Sequence, residues 1–582
     1  MAVTGGEIVA EMLSKEGVDT VFGIIDGTYT ALLTNIVSRN IKLITPRHET
    51  TALHMGGAYA RLTGKLGVCI ASNGPGVANA LSGVAVENAE GNRILFITSS
   101  RRPQISNPDR GGAYQYLDHV GIIKGMSKWS TTISTAERIP ELMREALRKC
   151  YEGRPGIVHI DIPETVFNGE ASPVNYQTPG QYRMMDPVSP SESLVDQAAE
   201  MLLSARLPVI HAGSSIIHAM AFDELAELAH LMSMPVTTSW AARSVFPESD
   251  PLAWSMIHVK SVTTLRNTSD LVLCLGSRLG ETDWWGKAPY WASPDKQKFI
   301  QVDIDPGVIG RNHPVNLSVI ADVKEFLQKV IAKLKSESTR INLKARNAEI
   351  AKLHKEIEKD RTKLDEKLKD LSSPLLTAHV PKTCQNLVKK DTIVVFDGGN
   401  TSVWGNFFYK FDIPNTFLAT NHMGHLGAGV GQALGAAAAY PDRQVLCIIG
   451  DGAMGFHPQE IETAIRNNLN VIFLVVADKQ WGMVKLTQSM ALKPAKMMLK
   501  KILDPKETIN TELSEIKWDK MAQAMGAHGE RVSSPEELKS ALTRSLTKGI
   551  CSIIHVDVDP VKHLWAPGLL NFKAMHQEPK GK

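Results

Sequence analysis

Short apolar runs alternate along this chain with longer stretches whose apolar positions recur at helical spacing. Such alternation predicts buried parallel strands joined by crossover helices. Up to about residue 180 the pattern predicts helices over Thr4 to Glu16 and Thr50 to Thr63, and strands at Ile41–Leu43, Val21–Phe22, Val68–Ala71, Ile94–Thr98 and Val158–Ile160. Residues 171 to 192 are rich in Pro, Ser, Gln and Tyr and read as a linker. A second block, 192–345, repeats the pattern with strands at Leu207–His211, Val236–Thr238, Leu271–Leu275 and Phe299–Val302. From 343 to 371 lies a Lys/Glu-rich helical stretch with Ile350, Leu353, Ile357 and Leu364 on one face. Its acids match its bases, so it reads as a solvated helix bridging two blocks, not a nucleic-acid arm. The third block spans 375–565, and the tail, 567–582, reads as weakly ordered. The expected class is α/β, with three doubly wound parallel-sheet domains.

The third block holds the most informative segment. An apolar run, Gln444 to Ile449, leads into Gly450-Asp451-Gly452-Ala453; a helical stretch, Gln459 to Asn467, and a second apolar run, Val471 to Val476, follow. That run ends at Ala477-Asp478-Lys479-Gln480, with Asp478 placed 27 residues after Asp451. The order strand, glycine turn, helix, strand is a βαβ unit. It puts two carboxylates at the carboxyl ends of neighbouring parallel strands, where α/β sheets bind ligands. Acidic oxygens beside a glycine turn suit a hard divalent cation and the diphosphate it bridges.

Composition narrows the class. The chain has 582 residues, 43% hydrophobic and 21% charged, enough for about three to four domains with sizeable cores. A net charge of +3 gives no reason to expect nucleic acid. The cysteines at 69, 150, 274, 384, 447 and 551 lack CxxC spacing and sit mostly in apolar runs, which suggests reduced thiols and a cytoplasmic protein. No apolar stretch is long enough to span a bilayer, and the start has no basic region followed by an apolar one. The Ala-rich run near Gly431 to Ala439 reads as a core helix.

The Gly-Asp-Gly segment, its spacer and Asp478 resemble the binding motif of the thiamine-diphosphate-dependent decarboxylase and carboligase family, where the second ligand is usually an Asn. The resemblance covers almost the whole chain. It implies pyrimidine-binding, middle and diphosphate-binding domains, a Mg²⁺ held by Asp451, Asp478 and the Gln480 backbone carbonyl, and thiamine diphosphate as cofactor. Pro46-Arg47-His48-Glu49 matches the family's Arg-His-Glu, which makes Glu49 the acid at the cofactor pyrimidine. Ser72-Asn73-Gly74-Pro75-Gly76-Val77-Ala78-Asn79 resembles the Ser-Gly-Pro-Gly-x-x-Asn loop, so Ser72, Pro75 and Asn79 are expected against the pyrimidine. Gly399, Asn400 and Thr401, in a turn after Asp397, are expected to meet the diphosphate. Gly424-His425-Leu426-Gly427 matches Gly-x-Met-Gly, implying cofactor contacts from Gly424 and Leu426; Gly452, Ala453 and Met483 complete that surface. Asp26, Gly27 and His425 are expected near substrate, and Gln115 is the expected polar contact to the reacting acyl group. Histidines 422, 425 and 457 lie near these loops as candidate acids or bases.

The substrate is less legible. Tyr114-Gln115-Tyr116 is similar to Phe-Gln-Glu of acetolactate synthases. The segment Gly276 to Thr282 keeps only Arg278 of the flavin-associated Arg-Phe-Asp-Asp-Arg, so FAD is not expected. Thr487 stands where biosynthetic acetolactate synthases carry a Trp. Segments 153–163 and 298–305 are similar to oxalyl-CoA decarboxylase and 2-hydroxyacyl-CoA lyase, and the lysines at 485, 493, 496, 500 and 501 are candidates for holding CoA phosphates. The main expectation is C–C bond cleavage or formation on a 2-keto acid; an acyl-CoA lyase is the alternative. A non-catalytic regulator on the same fold is opposed by Glu49 and the carboxylate pair. Since the family completes its sites across a subunit interface, a homodimer or homotetramer is expected.

Overall fold

Strands that are apolar on both faces need cover on both faces, and this chain supplies it three times over. A computed structural model describes residues 3–106, 108–340 and 343–569; the expected weak order of the tail falls, from 570 onward, outside the described residues. It contains three six-stranded sheets, parallel throughout, flanked by helices. The first runs Lys42–Ile44, Thr20–Gly23, Gly67–Ala71, Ile94–Ser100, Ile157–Pro163, Trp129–Thr132. The third runs Phe417–Leu418, Ile393–Asp397, Val445–Gly450, Val471–Ala477, Ser552–Asp557, His528–Val532. Counted within each block, these two sheets share one strand order, 2-1-3-4-6-5. The middle sheet runs Ala253–Trp254, Val236–Thr238, Pro208–Ala212, Leu271–Leu275, Lys298–Asp303, Leu317–Ile320, or 3-2-1-4-5-6.

In every sheet the order reverses beside the block's first strand, and the crevice there is where ligands bind. In the first sheet that point sits between the loops after Gly23 and Ala71; in the third, between those after Asp397 and Gly450. Ser72–Asn79, Gly399–Thr401 and Asp451 therefore lie at switch points, while Glu49 follows the edge strand Lys42–Ile44 and Asp478 the next strand along, Val471–Ala477. Apart from the interior strand Ser552–Asp557, the strands missing from the sequence pattern are edge strands. Leu317–Ile320 alternates buried and exposed, and Trp129–Thr132 is only half-buried, so neither reads as an apolar run.

The first and third blocks share a core. The helix Glu49–Thr63 packs on the helix Ala428–Ala439, and Phe22, Leu53, Leu434, Val445 and Phe473 belong to one apolar cluster. The Ala-rich run is indeed a buried helix. The charged helix is observed over Lys344–Asp365, and it is less solvated than its composition suggests: Ile350 and Ile357 pack with Trp254 and Trp284 of the middle block. Leu364 reaches Trp404 and Phe407 of the third block, so it bridges the two blocks by packing. All six cysteines are buried free thiols. Among the described residues, no helix is long and apolar enough to cross a membrane.

Candidate active site

Glu49 opens its helix. His48 precedes it as the cap, its Nδ1 accepting from the Thr50 N–H at 3.2 Å. The Arg47 N–H donates to both oxygens of Glu460, at 3.1 and 3.0 Å, which ties the approach of Glu49 to the third block. Glu49 is 7% exposed, and its carboxyl accepts from Asn79 Nδ2 at 3.1 Å. A Cβ placed on Gly76 would lie 2.6 Å from Ser72 Oγ and 3.3 Å from Glu49 Oε1. Glu49, Ser72 and Asn79 thus form one patch.

Gly74 brings Gln115 to the edge of that patch. Its φ of +59° is one that L side chains rarely adopt, and a Cβ there would sit 2.4 Å from the Gln115 carbonyl oxygen. The Gly74 N–H donates to His119 Nε2 at 3.0 Å, and His119 Nδ1 faces Asp161 Oδ1 at 2.8 Å. With Nε2 accepting, the proton sits on Nδ1 and points at Asp161. This buried support under the loop is not marked by any sequence motif. Gln115, Pro75 and Asn79 are solvent-exposed. Asp26 caps the turn Gly27–Tyr29 by accepting from Thr28 N at 2.8 Å. Burial first, then the charges of Asp26 and Glu49, push the Tyr29 hydroxyl well above its usual range, so both carboxylates lie near it.

The diphosphate half gathers on the third sheet. Asp397 accepts from Gly398 N at 2.6 Å and Gly429 N at 2.8 Å, and burial lifts it to about 6. Gly399, Asn400 and Thr401 form the first turn of the helix Gly399–Phe408, where backbone N–H groups lack helical partners. Asn400 is buried with neither side-chain polar atom bonded. A Cβ on Gly482 would meet Asn400 Nδ2 at 2.7 Å and Asp478 Oδ2 at 3.1 Å, so these two side chains border one spot. Asp451 accepts from Gly452 N at 2.9 Å and Lys479 N at 3.0 Å. Asp451 and Asp478 are both pushed up to about 7, burial being the main cause for each and their proximity adding to that of Asp451. Met483 packs on Gly399, and Ala453 is buried beside Gly452. Gln480 reaches Asp478 through its side chain, Nε2 to Oδ2 at 3.1 Å, while its carbonyl already accepts from Gly482 N at 2.9 Å.

The donor set fits a diphosphate-bound divalent cation. Among the described residues no three His, Cys, Asp or Glu side chains gather as a metal site. Two buried carboxylates and an orphaned amide, with the helix N-terminus alongside, would leave the remaining positions to phosphate oxygens, as Mg²⁺ prefers.

Gly424 is exposed, with its N–H on Thr420 O at 2.9 Å, and Leu426 packs on the shared core. Gly427, at φ +88°, leaves room for Phe456; a Cβ there would lie 2.5 Å from the Phe456 Cβ. Exposed apolar side chains flank both halves: Ile25 and Tyr114 beside the first, Met423, Phe456 and Val484 beside the third.

Two observations bear on the substrate. The lysine run is not a free cationic face. Lys485 is buried against Glu512, and Lys493 and Lys496 share Glu507, so only the end of the run stays open to a phosphate. This corrects the expectation of a five-lysine phosphate patch; Glu507 and Glu512 lie in a later loop that folding brings back. A cavity of about 1220 Å³ lies instead at the middle switch point. It is lined by Arg154, Ser215, Ser277, Arg278, Arg311 and Asn421, among others.

These features make a candidate two-part site on an α/β frame, one part on each of two sheets of the same order. The N-terminal TPP binding domain of thiamine pyrophosphate enzymes matches residues 3–122, their central domain residues 195–330, and their C-terminal TPP binding domain residues 397–556. The chain belongs to this thiamine pyrophosphate enzyme family. Its similarity runs to acetolactate synthase large subunits. It is 31% identical to that of Corynebacterium glutamicum over 84% of this chain and 77% of the relative. It is 27% identical to the isozyme 3 large subunit of Escherichia coli (97% and 96% covered) and to a probable large subunit of Methanocaldococcus jannaschii (96% and 93% covered).

Proposed function

We propose that this protein is a Mg²⁺- and thiamine-diphosphate-dependent carboligase that decarboxylates one 2-keto acid and joins the fragment to a second carbonyl compound. The observation that carries the reading is that Glu49 is held by Asn79 in the first block while the third block gathers Asp451, Asp478 and the orphaned Asn400 at strand ends of its sheet. Thiamine diphosphate, when bound, supplies a nucleophilic carbon and an electron sink. The chain's own groups do the rest. Asp451, Asp478 and Asn400 hold the cation and diphosphate, with the N–H groups of Gly399 to Thr401. Gly424, Leu426, Gly452, Ala453 and Met483 line the cofactor surface, and Ser72, Pro75 and Asn79 its pyrimidine end. Glu49 holds and moves the proton at the pyrimidine nitrogen. Gln115, Asp26, Gly27 and His425 orient the substrate. Pyruvate consumption with release of CO₂ and a C–C coupled product is the test; a fully loaded enzyme that turns over no 2-keto acid would sink it.

A second reading, an acyl-CoA lyase, draws on one observation: the arginine-lined cleft has room for a phosphate-bearing group. Parallel kinetics on pyruvate and a 2-hydroxyacyl-CoA separate the two, and pyruvate is the expected substrate. Rapid thioester cleavage with no pyruvate turnover would reverse the order.

The working unit in this reading is at least a homodimer. The exposed Gln115, Pro75 and Asn79 on one half, and Gly424 and Met423 on the other, are surfaces that a second copy covers while completing two sites. Light scattering at assay concentration is expected to give two or four chain masses; a fully active monomer would refute it.

The carboxylate pair predicts a pH-dependent response to Mg²⁺. Folding raises both groups from an ordinary value of about 4 to about 7. Without a cation, each therefore contributes stability below about pH 4 that is lost as pH rises through 7. A cation removes that loss. The rise in Tm on adding Mg²⁺ and thiamine diphosphate is expected to be larger at pH 8 than at pH 5.5, by differential scanning calorimetry. An equal rise at both would show that the pair does not hold the ion.

A further inference from the structure

Among the described residues, several buried imidazole nitrogens have no hydrogen-bond partner, and three of them lie together: Nε2 of His54, Nδ1 of His425 and Nδ1 of His457. They belong to one cluster. The His54 and His425 rings lie 5.3 Å apart, and the His457 ring lies 5.2 Å from that of His48, the residue before Glu49. The charges of His54, His48 and His425 all act on His457. The cluster sits where the first and third blocks meet, with a Cβ on Gly431 only 2.6 Å from that of His54. A buried polar atom left without a partner is destabilising, because it loses its bonds to water and gains none in return. Three together, beside the proposed acid, call for a shared role.

The other side of His54 is bonded. Its Nδ1 lies 2.6 Å from Glu87 Oε1, and Glu87 Oε2 accepts from Asn92 Nδ2 at 2.5 Å. Burial lifts Glu87 to about 8 and lowers His54 to about 3. The contact is therefore a neutral hydrogen bond sharing one proton, not an ion pair. Burial also lowers His425 to about 4 and His457 to about 3, so near neutral pH each ring carries one N–H and one bare nitrogen. Glu90 lies one helical turn beyond Glu87. It accepts from His422 through N at 2.8 Å and Nδ1 at 3.0 Å, and both residues line the cleft. Arg61 is the other charged group facing Glu87 and Glu90.

We propose that His54, His425 and His457, recharged through Glu87, form a buried proton relay serving the site around Glu49. The inference rests on the carboligase reading. Joining two 2-keto acid anions with loss of neutral CO₂ leaves one monoanion and consumes one proton per turnover. The relay delivers it while bound substrate excludes water. A proton leaving Nε2 of His54 is matched by one arriving at Nδ1 from Glu87, so the ring changes tautomer and stays neutral. Glu87, left ionised, regains its proton from water in the cleft by way of Glu90 and His422. Water bridging the three bare or protonated nitrogens completes the path across the cluster.

Glu87→Gln tests this, because it keeps the shape and the hydrogen bonds to His54 and Asn92 but cannot pass a proton. In the cofactor-free protein at pH 7, infrared spectroscopy should show a buried protonated-carboxyl band that the variant lacks. In the loaded enzyme the variant should lose about tenfold or more in kcat at unchanged KM. Its solvent deuterium isotope effect should rise, and added imidazole should restore part of the rate. His457→Asn, which keeps a polar group near Nδ1, should show the same kinetic pattern. A missing band, or a variant with wild-type kcat and isotope effect, overturns the relay. A wild-type protein with the band but no keto-acid turnover overturns the carboligase reading and leaves the relay's spectroscopic result standing.

Discussion

Glu49→Gln is expected to cut turnover by about 10²–10⁴-fold while leaving cofactor affinity nearly unchanged, the range for loss of a positioned acid–base group. The side chain is nearly buried and held by Asn79 within a patch that also contains Ser72. Gln preserves that hydrogen-bonding shape, since its carbonyl oxygen still accepts from Asn79, but it has no proton to exchange with a pyrimidine nitrogen. The effect belongs on kcat, because the lost interaction is one of proton transfer rather than binding. The direct readout is hydrogen–deuterium exchange at the reactive carbon of bound thiamine diphosphate, followed by NMR. An unchanged exchange rate would remove Glu49 from the role.

Asp451→Ala and Asp478→Ala are each expected to weaken Mg²⁺–thiamine diphosphate binding by about a hundredfold. That is the worth of one strong charge-assisted contact, about 3 kcal/mol. The two carboxylates end adjacent strands, with Gly450 in register with Val476. A cation between them has few other protein donors to fall back on, Asn400 foremost. Calorimetric titration with cofactor and metal measures the loss. Asp478→Asn should retain more affinity than Asp478→Ala, because one oxygen remains; tight binding by Asp478→Ala would place the ligand elsewhere.

The places of Glu49, Asp451, Asp478 and the loop from Ser72 to Asn79 at strand and helix ends were legible because each is a short motif flanked by an apolar strand, and such local arrangements are written in consecutive residues. The support beneath them was not. His119 and Asp161 lie 42 residues apart, yet together they hold the Gly74 loop. His54 and Glu87, 33 residues apart on two helices, meet only because those helices pack. The lysine run misled for the same reason: its counter-ions Glu507 and Glu512 come back to it through a fold of the chain.

By itself the sequence determined that three α/β blocks exist, that their strands are buried on both faces, and where the carboxylates and glycine turns stand on them. Periodicity and turn chemistry act over a few residues, so a linear reading captures them. Only the tertiary structure decided the shared strand order of the first and third sheets, the merging of their cores along the helices Glu49–Thr63 and Ala428–Ala439, and the imidazole cluster between them. Strand order depends on which crossover lands beside which strand, and buried polar contacts depend on where packed helices touch. Both are relations between distant residues, set by the burial of apolar surface over the whole chain.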